Sequence, residues 1–178
     1  MTRSDVAEAT TLVNFQDLLG VDGERYSGDS FKHKAILAMI FTGNACPTAK
    51  AWDGELARLQ RMYDHFGLQI VMVNSNNSYL SPEDTYDRMV IRAKTGGFNF
   101  PYVKDEGAVL AKQLGATVTP QVFVFDAVGS LRYAGRLADS RRPAATMRYD
   151  LKEAVEELAA GLDVTVESTE PFGCALVL

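Results

Sequence analysis

The stretch Ala35-Ile36-Leu37-Ala38-Met39-Ile40-Phe41-Thr42-Gly43-Asn44-Ala45-Cys46-Pro47 joins an apolar run to a Cys-Pro pair. The run from Ala35 to Phe41 is continuous, with no polar residue alternating, as expected of a strand buried on both faces. From Pro47 to Phe66 the pattern changes: Trp52, Leu56, Leu59 and Tyr63 recur at spacings of three and four, which predicts a helix. Gly67 suits the position that ends it. Leu68 to Val73 is a second apolar run and a second buried strand. Two strands joined by a helical crossover pair in parallel, with a right-handed connection.

Working outward, Val21-Asp22-Gly23-Glu24 reads as a turn between two short extended pieces. Asn74 to Ser78 reads as a polar loop. Ser81-Pro82-Glu83-Asp84 opens another helix, with Ser81 as N-cap, and Gly96-Gly97 stops it. A short helix is expected over Glu106 to Leu114. Gln121 to Asp126 is a third strand, and Leu131 to Ala134 returns as its hairpin partner. A last helix is expected from about Ala144 to Ala160, with Leu151, Ala154, Val155 and Leu158 inward. Leu162 to Leu178 forms a tail without a clear period. The order β-α-β, a helical connection, then β-β-α predicts an α/β domain over residues 1–178: one central mixed sheet flanked by helices.

The chain has 178 residues, 47% of them hydrophobic and 23% charged, which suits one globular domain with a sizeable core. Its net charge of −5 argues against nucleic acid as a partner, because an acidic surface gains nothing from counterion release. No apolar run approaches the roughly 20 residues that span a bilayer, and Met1–Thr11 is polar without a signal-peptide core; the expectation is a cytoplasmic protein without a membrane partner. Two cysteines, Cys46 and Cys174, are too few for a disulfide framework. His33 and His65 are distant from Cys46 in sequence, so no metal site is expected. No G-x-G-x-x-G and no P-loop occurs, so no nucleotide fold is indicated, and no cofactor is implied.

Three places together resemble a known family. The segment Phe41-Thr42-Gly43-Asn44-Ala45-Cys46-Pro47 looks like the active-site loop of thioredoxin-fold redoxins. Val118-Thr119-Pro120-Gln121-Val122-Phe123-Val124-Phe125-Asp126 resembles the stretch carrying the cis-proline that faces the active cysteine. Gly173-Cys174 resembles the end of a redoxin subgroup, which also matches at Val73-Asn74-Ser75-Asn76, Pro82-Glu83-Asp84, Phe100-Pro101-Tyr102 and Tyr133-Ala134-Gly135-Arg136. The resemblance implies a thioredoxin-like fold and a peroxiredoxin-like antioxidant thiol oxidoreductase. Where that family often carries C-x-x-C, this chain has Gly43 and a single Cys46. What remains is similar to the peroxiredoxin loop, with Thr42 one residue further from the cysteine than that pattern asks. Arg132 and Arg136 are candidates for the arginine such enzymes use.

At a helix start, free backbone N–H groups favour the thiolate of Cys46, which is the nucleophilic form. The plainer alternative is a small buried hydrophobe. A cis Pro120 would expose the Thr119 backbone beside Cys46, where an extended substrate segment can pair; the alternative is a trans proline opening a strand. Cys174 is the candidate resolving thiol, within this chain or toward a second copy, against a tail cysteine with no partner. The apolar end Ala175 to Leu178 is expected to dock, and Cys174 does not match a prenylation signal. Thr42, Asn44, Pro47, Thr119 and Pro120 are the candidate substrate-binding residues. Asn74 to Asn77 read most simply as a polar loop, Trp52, Tyr63 and Phe66 as core, and Asp126, Arg141 and Arg142 as solvated turn charges. The functional expectation is a thiol-dependent oxidoreductase that reduces a peroxide or a protein disulfide. Electrons would come from a thioredoxin- or glutathione-type thiol donor, and a homodimer is left open. Two rival readings stand beside it: a redox-inactive binding module, and a protein regulated by a Cys46–Cys174 disulfide.

Overall fold

A computed structural model describes Phe15 and residues 17–178. The polar segment Met1–Thr11 lies outside the described residues. The chain runs β1 (Leu18–Gly20), β2 (Arg25–Tyr26), β3 (Ile36–Thr42), α1 (Pro47–Lys50), α2 (Asp53–Tyr63), β4 (Leu68–Asn74), α3 (Tyr86–Thr95), β5 (Tyr102–Lys104), α4 (Val109–Leu114), β6 (Val118–Thr119), β7 (Gln121–Asp126), β8 (Leu131–Gly135), α5 (Asp150–Ala159) and β9 (Cys174–Ala175). Seven strands form one mixed sheet in the order β2-β1-β5-β4-β3-β7-β8, and β6 and β9 form a separate pair. The crossover pair β3–β4 is parallel and the pairs β3–β7 and β7–β8 are antiparallel. The mixed sheet flanked by helices is the thioredoxin-like architecture expected.

The apolar run of β3 explains the layering. Successive side chains of a strand point to opposite faces, and every residue of β3 is buried. Ile36, Ala38 and Ile40 pack with Leu56 and Leu59 of α2, Met89 of α3, and Leu151 and Val155 of α5. Leu37, Met39 and Phe41 pack on the other face with Phe123, Phe125 and Leu110 and Ala111 of α4. Both faces are covered, and β3 is apolar from Ile36 to Phe41. Its carboxyl end delivers the loop Gly43–Cys46 to the sheet edge where α/β sites form.

Helix boundaries differ from the sequence expectation in four places, one being the short helix expected from Glu106, which begins at Val109 after a 3-10 turn over Glu106–Ala108. The helix from Pro47 divides into α1 and α2, with Trp52 between them. The break turns Trp52 into the core against Tyr149 and leaves Asp53 free to face Arg92. Gly67, at φ 84°, ends this region after a 3-10 turn over Asp64–Phe66. Ser81 precedes a 3-10 turn, Pro82–Asp84, and Thr85 is the N-cap of α3, because the Ser81 hydroxyl is committed to the Asp84 carboxylate. The last helix begins at Asp150, after a 3-10 turn at Pro143–Ala145 and an extended Thr146. Asp150 is buried there and receives Arg136 and Arg148.

Candidate active site

Cys46 is the N-cap of α1, with extended backbone (φ −86°, ψ 109°) and Pro47 following at the first helical position. The N–H of Ala49 points at its Sγ from 3.4 Å, as the unpaired donors of a helix start do. The carbonyl oxygen of Thr119 lies 3.4 Å from the same sulfur. Cys46 is almost wholly buried and is joined to Cys174, 128 positions along the chain, by a disulfide with Cα atoms 5.9 Å apart. A bonded sulfur has no hydrogen to donate, so the Thr119 contact is one of proximity.

The Thr119–Pro120 peptide bond is cis. The tail lies along the segment before it. Cys174 pairs antiparallel with Thr119 and Ala175 with Val118, and the N–H of Leu176 donates to the carbonyl of Thr117 at 3.0 Å. Gly173 has φ 150°, and a Cβ there would run into the Thr119 carbonyl, so this close approach requires glycine. Upstream, the tail is fixed by backbone bonds between Ala134 and both Glu167 and Thr169, and the Thr169 hydroxyl contacts the Tyr133 hydroxyl at 2.6 Å. Downstream, the N–H of Val177 donates to Asn76 Oδ1 at 2.8 Å. The aperiodic tail is therefore an ordered strap across the site, and Leu176 packs against the second face of the core.

Beneath the loop lies a buried polar network that sequence reasoning missed. The Asp84 carboxylate accepts from the Asn44 N–H, Asn74 Nδ2, Asn76 Nδ2 and the Ser81 hydroxyl, at 2.6–3.0 Å. Burial alone would raise the Asp84 carboxyl, but those four donors hold it below its ordinary value. Asn44 Oδ1 accepts from the Tyr102 hydroxyl at 2.6 Å and from Arg92 at 3.3 Å. Burial pushes the Tyr102 hydroxyl up to about 12, so it stays a donor. Arg92 makes a buried two-point contact with Asp53. Lys104 Nζ donates to the carbonyls of Asn76 and Asp84 at 2.6 and 3.0 Å, and its desolvation lowers its pKa. The sequence trace of the network was that Asn44, Asn74, Asn76, Asp84 and Tyr102 all fall within stretches resembling the redoxins.

These contacts place the candidate residues. Thr42 is fully buried at the end of β3, its hydroxyl without a hydrogen-bond partner. Asn44 is buried in the network. Pro47 is exposed at the start of α1, while Thr119 and cis Pro120 stand against the tail. Asn74 to Asn76 are buried, not a plain polar loop. Trp52 is core, but Phe66 is 47% exposed. Arg141 lies over the Phe172 ring at 5.4 Å and reaches Thr48 at 3.3 Å, so it is not a simple turn charge. Arg132 pairs with Asp126 and Asp163, and Arg136 with Asp150; neither makes a hydrogen bond to Cys46. Gly43 packs close to the network: a Cβ on it would stand 2.7 Å from Asn76 Nδ2. No group of three or more His, Cys, Asp or Glu residues positioned to hold a metal occurs among the described residues.

A buried cysteine at a helix start, a cis-proline beside it and a mixed sheet covered on both faces make this a thioredoxin-like protein. The chain belongs to the redoxin family, whose model matches residues 7–153; the matched stretch includes Cys46 and ends before the tail that carries Cys174. A hypothetical protein from Sinorhizobium meliloti 1021 is 31% identical, over 94% of this chain and 92% of that one, with a TM-score of 0.87. An uncharacterized conserved protein from Geobacillus kaustophilus is also 31% identical, over 94% and 90%, with a TM-score of 0.86. The fold is shared more distantly with the peroxidoxin BcpB from Mycobacterium tuberculosis, at 14% identity over 84% and 94% and a TM-score of 0.65. No curated protein matches the chain.

Proposed function

We propose that this redoxin is a thiol–disulfide oxidoreductase whose working couple is Cys46 and Cys174. One observation carries the reading: Cys174 reaches Cys46 on a strand that pairs with Thr119, beside cis Pro120. That is how an extended polypeptide uses an open strand edge. In the reduced protein, the Cys46 thiolate attacks a substrate disulfide. A Cys46–substrate disulfide forms and one substrate thiolate leaves. The Cys174 thiolate then attacks Cys46 Sγ, releases the second substrate thiolate and leaves the Cys46–Cys174 disulfide. Two electrons pass to the substrate, and the protons of the two protein thiols end on the substrate thiols. A thioredoxin- or glutathione-type thiol donor restores the dithiol by the reverse exchange. Peroxide is the rival oxidant: it would give a Cys46 sulfenic acid that condenses with Cys174 and releases water, but it makes no use of a strand edge.

The test mixes reduced protein with a polypeptide disulfide, and separately with hydrogen peroxide, and counts thiols. The expected result is one substrate disulfide reduced per Cys46–Cys174 disulfide formed, with none reduced by Cys46→Ser. Equal activity in Cys46→Ser overturns the reading. Oxidation by peroxide alone makes the protein a peroxidase. A disulfide that forms without any change in substrate makes it a regulatory lock.

A further inference from the structure

The tail occupies the groove beside Cys46, so its residues record what that groove accepts. Phe172 borders a small crevice with Thr48, Trp52, Pro120 and Leu137, under the Arg141 guanidinium. Gly173 passes so close to Thr119 and Pro120 that no side chain fits. Cys174 sits opposite Thr119 with its sulfur on Cys46. Leu176, two residues on, is partly buried against the second core cluster. Each of these positions is read by a different physical means: an aromatic face with a cation, steric exclusion, a strand pairing and apolar burial. Contacts of such different kinds in a row specify a sequence pattern and not merely an extended backbone.

We infer that the groove recognises, in a partner polypeptide, an extended segment with an aromatic residue two before its cysteine, glycine immediately before it and an apolar residue two after it. The reduced protein exchanges its own tail for such a segment. This rests on the thiol–disulfide reading and adds the substrate's sequence class to it. In the exchange, the Cys46 thiolate bonds to the segment's cysteine sulfur and the former partner of that sulfur leaves as a thiolate. The oxidised protein, with its tail in place, holds the groove closed to the same segments.

The test uses the full-length Cys174→Ser protein, whose only thiol is Cys46. The probes are peptides of the sequence Thr169–Leu178 with their cysteine joined to 5-thio-2-nitrobenzoate, so that attack by Cys46 releases a coloured thiolate. The unaltered peptide is compared with one carrying Gly173→Ala and one carrying Phe172→Ala, and the cysteamine disulfide of the same chromophore reports the intrinsic reactivity of Cys46. The expected result is release about tenfold slower with the Gly173→Ala peptide and about threefold slower with the Phe172→Ala peptide, the cysteamine reagent remaining reactive. Equal rates for the three peptides, with a reactive Cys46, overturn the recognition and leave the oxidoreductase reading standing. No release above that of the thiol-free Cys46→Ser/Cys174→Ser protein, from peptides and small reagent alike, overturns both.

Discussion

Cys174 stands directly opposite Thr119 in the β6–β9 pairing, so backbone hydrogen bonding delivers the second sulfur to Cys46. The residue before the cis-proline thereby touches both cysteines: its carbonyl lies 3.4 Å from Cys46 Sγ and its hydroxyl lies 3.5 Å from the Cys174 carbonyl. Under the proposed mechanism, resolution of a mixed disulfide needs only the return of the tail to this strand position.

This geometry separates the roles of the two cysteines. Cys46→Ser is expected to form no covalent adduct with a polypeptide disulfide. Cys174→Ser is expected to stop at the Cys46–substrate disulfide, seen as a stable mass increase under non-reducing conditions. Full turnover by Cys174→Ser would show that an external thiol resolves the adduct and that the tail is dispensable.

Reduction should also loosen the strap. The disulfide links residues 128 positions apart, and closing so long a loop in the unfolded chain stabilises the fold by about 2–5 kcal/mol. Denaturant midpoints with and without reductant are expected to differ accordingly. Hydrogen exchange locates the change: the Leu176 and Val177 amides, bonded to Thr117 and Asn76, should exchange faster on reduction, and those of β3 should not. An unchanged tail would mean that its hydrogen bonds alone hold it.

The sequence revealed the sheet more completely than the site, and the difference is physical. Ala35–Phe41 announces a doubly buried strand because every residue is apolar, and Cys46-Pro47 announces a helix start by local chemistry. Asn44, Asn74, Asn76, Asp84 and Lys104 belong to types that are solvated more often than buried. Their burial depends on partners distant in the chain, such as the Asn44 bond to Asp84 across 40 positions. No local period reports that. The tail was unreadable for a similar reason: its strand is two residues long, and its order comes from Ala134, Thr117 and Asn76. Phe66 shows the converse error: read as core, it lies in the 3-10 turn that follows the helix and is exposed.

Asn76 joins the network to the tail. Its Nδ2 donates to Asp84, its Oδ1 accepts from the Val177 N–H, and its carbonyl receives Lys104. Asn76→Ala leaves the first two partners short of a bond, at a cost of about 1–3 kcal/mol for groups that stay buried. The expected outcome is lower stability with faster exchange at Val177. Equilibration with a dithiol buffer should also show a larger fraction of open Cys46–Cys174 disulfide than in the unsubstituted protein. A change in stability without any change in the disulfide would confine Asn76 to the network.

Asp84 gives the network a pH dependence whose sign is fixed. Its carboxyl titrates below the ordinary value of 3.8 in the folded protein, so the unfolded chain takes up the proton first as the pH falls. Its stabilisation is fully present above the unfolded value and is lost as the pH falls through the folded one. Asp84→Asn turns one accepting oxygen into a donor, facing either the Asn44 N–H and Asn74 Nδ2 or Asn76 Nδ2 and the Ser81 hydroxyl, and at pH 7 is expected to cost roughly 2–4 kcal/mol. Because the ionised form supplies that difference, the gap between the two proteins should narrow in acid, below about pH 4. Urea denaturation of both proteins at pH 7 and pH 3 measures it. A gap equally wide at both pH values would mean that shape, and not the charge of Asp84, holds the Gly43–Cys46 loop in place.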